Sequence, residues 1–180
     1  MPLVVLLRGV NVGGHRTFRP SVLAKDLKQL DVVNVGAAGT FVVRAPISQA
    51  ELRAELMRRL PFDTEVMICK SREVLRLIGN DPFVDQRSGP DIVRFVSVLA
   101  TRRPPLPSLP LHIPARGEWG VKLLAQQARF VLGLYRREMK AIRYLGQIDK
   151  IFGVPVTTRN WNTFEAIARV LRQSATRDVS

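Results

Sequence analysis

The chain has 180 residues, 46% of them hydrophobic, which is length and apolar content enough for one domain or two small packed ones. Its single cysteine, Cys69, excludes a disulfide framework and a cysteine-rich zinc site. The formal net charge of +13 is unevenly spread: residues 1–88 carry 13 Lys/Arg against 9 Asp/Glu, or +4, and residues 89–180 carry 15 against 6, or +9. The second half is therefore where a polyanion would be drawn. The arginines are scattered, with no low-complexity basic tail, so the excess also fits an arginine-rich composition that serves solubility alone.

Met1-Pro2-Leu3-Val4-Val5-Leu6-Leu7 is an apolar run that meets Arg8 almost at once. It is too short for a membrane span and lacks the basic start of a signal peptide, so residues 3–8 read as a buried strand of a cytoplasmic protein with no membrane partner. Pro20–Leu30 has the helical period, with Val22, Leu23, Leu27 and Leu30 on one face. Val32–Val35 and Thr40–Arg44 read as strands joined by Gly36-Ala37-Ala38-Gly39, residues that tolerate a tight turn. Ser48-x-x-Glu51 is a capping box, and Leu52, Leu56 and Leu60 follow at four-residue intervals until Pro61 stops the helix. Thr64–Lys70 is a further strand, with Cys69 as a buried thiol, and Ser71–Ile78 is a short helix ended by Gly79.

Strand, helix, strand, strand, helix, strand is the split βαβ order of a ferredoxin-like module. It predicts one sheet with helices on one face and the other face left to pack or to bind. The turn-rich stretch 80–90 separates a first module, 1–84, from a second α+β module, 90–180. That second module opens with a strand over Ile92–Ala100. Pro104, Pro105, Pro107, Pro110 and Pro114 then bar a regular crossover helix within the proline-rich 102–114 segment. Leu111–Arg116, Gly120–Leu124 and Arg129–Tyr135 read as shorter strands around a Gly117-Glu118-Trp119-Gly120 turn. Two helices close the chain, one near Ile142–Phe152 and one over Thr163–Gln173 with Phe164, Ile167, Ala168 and Leu171 inward. The whole reads as a ferredoxin-like module followed by a degenerate second copy, with antiparallel or mixed sheets and helices on one face.

Two polar segments ask for an explanation beyond core packing. Leu7-Arg8-Gly9-Val10-Asn11-Val12-Gly13-Gly14 sets backbone amides at the carboxyl end of a strand, where phosphate or carboxylate cradles form. It matches neither the dinucleotide fingerprint nor a P-loop, so its glycines equally fit a positive-φ turn in which Asn11 bonds the loop to itself. His15 and Arg16 follow as further cations or as solvated loop residues. Thr157-Thr158-Arg159-Asn160-Trp161-Asn162-Thr163 stands before the last helix, where Asn160 or Asn162 suits an N-cap and Glu165 a reciprocal partner. Hydroxyls and a guanidinium at a helix N-terminus also make a competent anion site.

These two segments resemble the signature segments of an uncharacterised bacterial family, the DUF1697 proteins, whose pattern opens with LLRGxNVGG and closes with TTRNWNT. The resemblance extends to the Asn80-Asp81-Pro82-Phe83 turn. It implies an α+β fold related to paired ferredoxin-like modules and no established activity. Where the family has a Ser-Gly-Asn-Val hairpin, this chain has Ala38-Gly39-Thr40-Phe41, which weakens any polar contribution from that turn.

Two functional readings follow. One is a binding module for nucleic acid or another polyanion. The other is a protein or enzyme for a small anionic ligand, phosphate or carboxylate, held by Arg8, Asn11, Gly13, Gly14, Thr158, Arg159, Asn160 and Asn162, with the two segments meeting in space. A third possibility is that both segments only lock the fold. His15 and His112 sit at no metal-binding or nucleophile-activating spacing, and nothing in the sequence calls for a metal, flavin or nicotinamide cofactor.

Overall fold

The computed structural model describes residues 1–10, 14, 17–86, 89–106 and 108–177. The opening apolar run is β1 (Leu3–Leu7), buried at every position. α1 (Pro20–Asp26) begins on a proline, whose missing N–H would have had no helical partner anyway. It is shorter than its periodicity suggests: Lys28–Leu30 tightens into a 3-10 turn, and Asp31 adopts a left-handed φ of 48°. Leu23 and Leu27 are buried and Leu30 packs at the margin of the same core. Val22, expected on that face, is 47% exposed, because it lies about 100° round the helix from Leu23.

β2 (Val32–Asn34) and β3 (Thr40–Val43) form the expected hairpin. α2 (Gln49–Arg59) has its capping box in place: Glu51 N donates to Ser48 Oγ at 3.2 Å, and Ser48 N to Glu51 Oε2 at 3.0 Å. β4 (Val66–Lys70) runs straight into α3 (Ser71–Gly79). The four strands are antiparallel in the order β2-β3-β1-β4, which is the split βαβ arrangement. Val5 sits opposite Phe41 on one side and Ile68 on the other, and with Leu52 and Leu56 of α2 they build one core. On the other face Val4, Leu6, Val42, Met67 and Cys69 are buried as well. That face, expected to be left over for packing or binding, is covered within the chain; an unbroken apolar strand rather than an alternating one is the sequence mark of burial on both sides.

A second antiparallel sheet contains β5 (Ile92–Leu99), β6 (Leu111–Ile113), β7 (Val121–Gln127), β8 (Phe130–Arg136) and β9 (Val156–Asn160), in the order β6-β7-β8-β5-β9. With β6 set aside, β7-β8-β5-β9 repeats the second-third-first-fourth order of the first sheet. Among the described residues of 100–110 no helix forms, as prolines that lack the N–H require. The second crossover is broken in two, α4 (Met139–Leu145) and α5 (Ile148–Phe152), at Gly146-Gln147. Ile148 and Phe152 pack with Phe95, Leu99, Val121, Leu123 and Val131.

The closing helix α6 (Trp161–Arg177) starts two residues earlier than its apolar stripe predicts, and Phe164, Ile167, Ala168 and Leu171 are buried as that stripe requires. The chain divides into two compact units, Met1–Gly79 with Asn162–Ser180, and Asn80–Trp161. Among the described residues no helix is long and apolar enough to cross a membrane.

Candidate functional site

In the first unit Arg8 follows β1 directly. Its amide donates to Glu65 O at 3.0 Å and its carbonyl accepts from Thr64 Oγ1 at 2.5 Å, so its main chain continues the pairing toward β4. Gly9 turns at φ 62°. Val10 is buried, and a Cβ on Gly39 would lie 2.7 Å from its Cγ2, so the β2–β3 turn and the strand end are packed together through that glycine. Arg8 and Gly9 line a cavity of about 650 Å³ with Met57, Asp63, Thr64 and Glu65. The two carboxylates there oppose an anion as much as Arg8 attracts one. Gly14 is exposed at φ 76°, with open space about it. Asn11, Gly13, His15 and Arg16 lie outside the described residues.

The closing segment, expected only to lead into the last helix, is a strand, and strand alternation divides its candidates between two faces. Thr158 and Asn160 share one face. Thr158 shares a 2.6 Å hydrogen bond with the Ser97 hydroxyl of β5, and Asn160 Oδ1 accepts from Tyr135 OH at 3.3 Å. Burial raises the Tyr135 phenol above its usual range, so it remains a donor at neutral pH. Arg159 and Thr157 share the other face. Arg159 is only 8% exposed; its Nη1 donates to Thr157 Oγ1 at 2.8 Å and to Thr158 O at 2.9 Å. Burial lowers its pKa to about 10, so it stays charged at pH 7, and those oxygens help to compensate the buried charge.

Because α6 begins at Trp161, Asn162 falls inside its first turn and is not the N-cap; Asn160 stands immediately before it. Trp161 is 2% exposed and packs edge-on against Phe83, with ring centroids 5.0 Å apart. Phe83 is presented by the Asn80-Asp81-Pro82-Phe83 turn, in which Asp81 Oδ1 accepts from the Phe83 amide at 2.8 Å. This gives the turn a packing role. Trp161 is a core plug, unavailable for stacking on a ligand.

Trp119, expected in a turn, clusters with Lys122 of β7 and Arg136 of β8. Lys122 Nζ lies 5.1 Å and Arg136 Cζ 4.8 Å from the centroid of the Trp119 ring. All three line a cavity of about 640 Å³ with Asp91, Ile92 and Leu134 among its walls. The alternation of β7 and β8 was the available signal, since the hairpin register sets Lys122 opposite Leu134, two residues from Arg136. Among the described residues no group of three His, Cys, Asp or Glu is placed to hold a metal ion.

A four-stranded split βαβ sheet and a second sheet that repeats its strand order define a two-unit α+β protein of ferredoxin-like topology. The chain belongs to the family described as protein of unknown function (DUF1697), whose model matches residues 1–109. A solved structure, "The structure of conserved bacterial protein SP0830 from Streptococcus pneumoniae", is similar with a TM-score of 0.62 and 17% identity, over 94% of this chain and 98% of that one. At that identity the likeness shows the fold alone. No curated protein matches the chain.

Proposed function

We propose that the protein binds polyanions in the cytoplasm, nucleic acid foremost, through the exposed cations of its second unit. The observation that carries this reading is the exposure of Arg102, Arg103, Arg116, Arg137, Lys140 and Arg143 in the second unit, whose residues 80–161 carry 13 Lys/Arg against 6 Asp/Glu, or +7. Cations so placed bind phosphates by releasing condensed counterions. Base readout has little to work with among the described residues: on the strands Phe41, Phe95 and Phe130 are buried and Tyr135 is half-buried, so neither sheet offers the exposed aromatic pair on which RNA-binding sheets stack bases. The expected behaviour is binding without sequence preference.

A labelled single-stranded oligonucleotide titrated at several salt concentrations tests the proposal. Binding whose logarithm falls linearly with log salt, by about 0.7 per phosphate neutralised, supports it. Absence of binding at low salt rejects it.

A further inference from the structure

We infer that the cavity beside the β7–β8 hairpin binds a small organic phosphate, a phosphate monoester about the size of a mononucleotide. The inference goes beyond the polyanion reading and does not rest on it, because it concerns one concave site rather than a charged surface. Lys122 and Arg136 project from one face of the hairpin, and both lie over the Trp119 ring. A cation–π contact fixes a cation in place without neutralising it. Among the described residues neither makes an ion pair, and Arg136 Nε is buried with no hydrogen-bond partner. Among the described residues the lining holds a single carboxylate, Asp91, against these two cations.

The site is held in shape by main chain. Gly120 N donates to Ile113 O at 2.9 Å and its carbonyl accepts from Arg136 N at 2.9 Å, while an added Cβ on Gly120 would meet the Tyr144 ring at 2.5 Å. The turn carrying Trp119 is thereby fixed against β8. A guanidinium fork beside an ammonium suits a phosphate dianion better than a single carboxylate. The cavity's volume, about 640 Å³, falls in the range of small-molecule sites and leaves room for an organic body against Pro90 and Ile92.

Tryptophan emission reads the site selectively, since Trp161, the other tryptophan, is buried against Phe83. Adenosine 5′-monophosphate, ribose 5-phosphate, inorganic phosphate and acetate are titrated into the full chain at about 0.15 M salt, with calorimetry in parallel. The expected result is saturable one-to-one binding of a phosphate monoester, weakened about tenfold or more in Lys122→Gln and in Arg136→Gln. Trp119→Phe should lose the optical signal and keep calorimetric binding. No saturable binding of either monoester overturns the inference, as does acetate binding as tightly, or binding unchanged in both charge variants. Oligonucleotide binding without monoester binding overturns this inference and leaves the polyanion proposal standing; the reverse pattern does the opposite.

Discussion

Replacing Arg159 with alanine separates an architectural guanidinium from a ligand-binding one. The side chain is 8% exposed, and its charge-assisted bonds include those to Thr157 Oγ1 and Thr158 O. Each such bond is worth about 1.5–3 kcal/mol, but removing the charge also removes its burial penalty. Only a hydroxyl and a carbonyl, both neutral, are left behind, so the net loss is about that of one bond to a charged group, about 1.5–3 kcal/mol. For a chain of this length about 2–4 °C of Tm accompanies each kcal/mol, so Arg159→Ala should lower Tm by about 3–12 °C. Arg159→Met, which keeps most of the hydrocarbon and leaves no cavity, should lose less. Thermal and urea unfolding measure both variants, and oligonucleotide affinity is followed alongside. A Tm within about 2 °C of the parent, together with a tenfold loss of oligonucleotide affinity, would refute the reasoning and make Arg159 a ligand group.

Gly133→Ala should destabilise by about 1–3 kcal/mol, since its Cβ would lie 2.5 Å from both Lys122 O and Phe95 Cζ; an unchanged urea midpoint would contradict the β5–β8–β7 packing. Ser48→Ala removes the α2 cap and should cost about 1 kcal/mol by chemical unfolding. The Ser48 bonds hold the Glu51 carboxyl below 4.5, so the unfolded state takes up its proton first. Its contribution is present above pH 4.5 and lost as pH falls through the lower folded pKa, and Glu51→Gln should flatten the acid limb of the stability profile. Phe83→Ala removes the ring packed on Trp161 and should cost about 3–5 kcal/mol with a red-shifted tryptophan emission; an unshifted spectrum would place that partner elsewhere.

The first unit was legible because each of its signals is local. The apolar run, the Gly36–Gly39 turn and the Ser48–Glu51 box each lie within a few residues, and together they specify β2-β3-β1-β4. β9 was not legible because a strand of Thr157, Thr158, Arg159 and Asn160 has its pairing partners far away: Ser97 meets Thr158 across 61 residues. The same distance hid the division of the closing segment's candidates between two faces. Trp119 read as turn because the cations on its ring come from two strands whose register no local pattern reports. The helix near 142–152 breaks where Gly146 weakens helical preference, which a stripe of apolar residues does not reveal.

The central claim is that the second unit's exposed cations engage phosphates, and paired charge removals test it most directly. Salt-dependent oligonucleotide binding is compared between Arg102→Gln/Arg103→Gln in the second unit and Arg53→Gln/Arg72→Gln in the first, all four residues being exposed. The account predicts a weaker affinity and a salt slope shallower by about 0.7 per lost contact in the first pair, with the second pair close to the parent. Equal loss in both pairs would contradict it and leave only non-specific attraction to net charge.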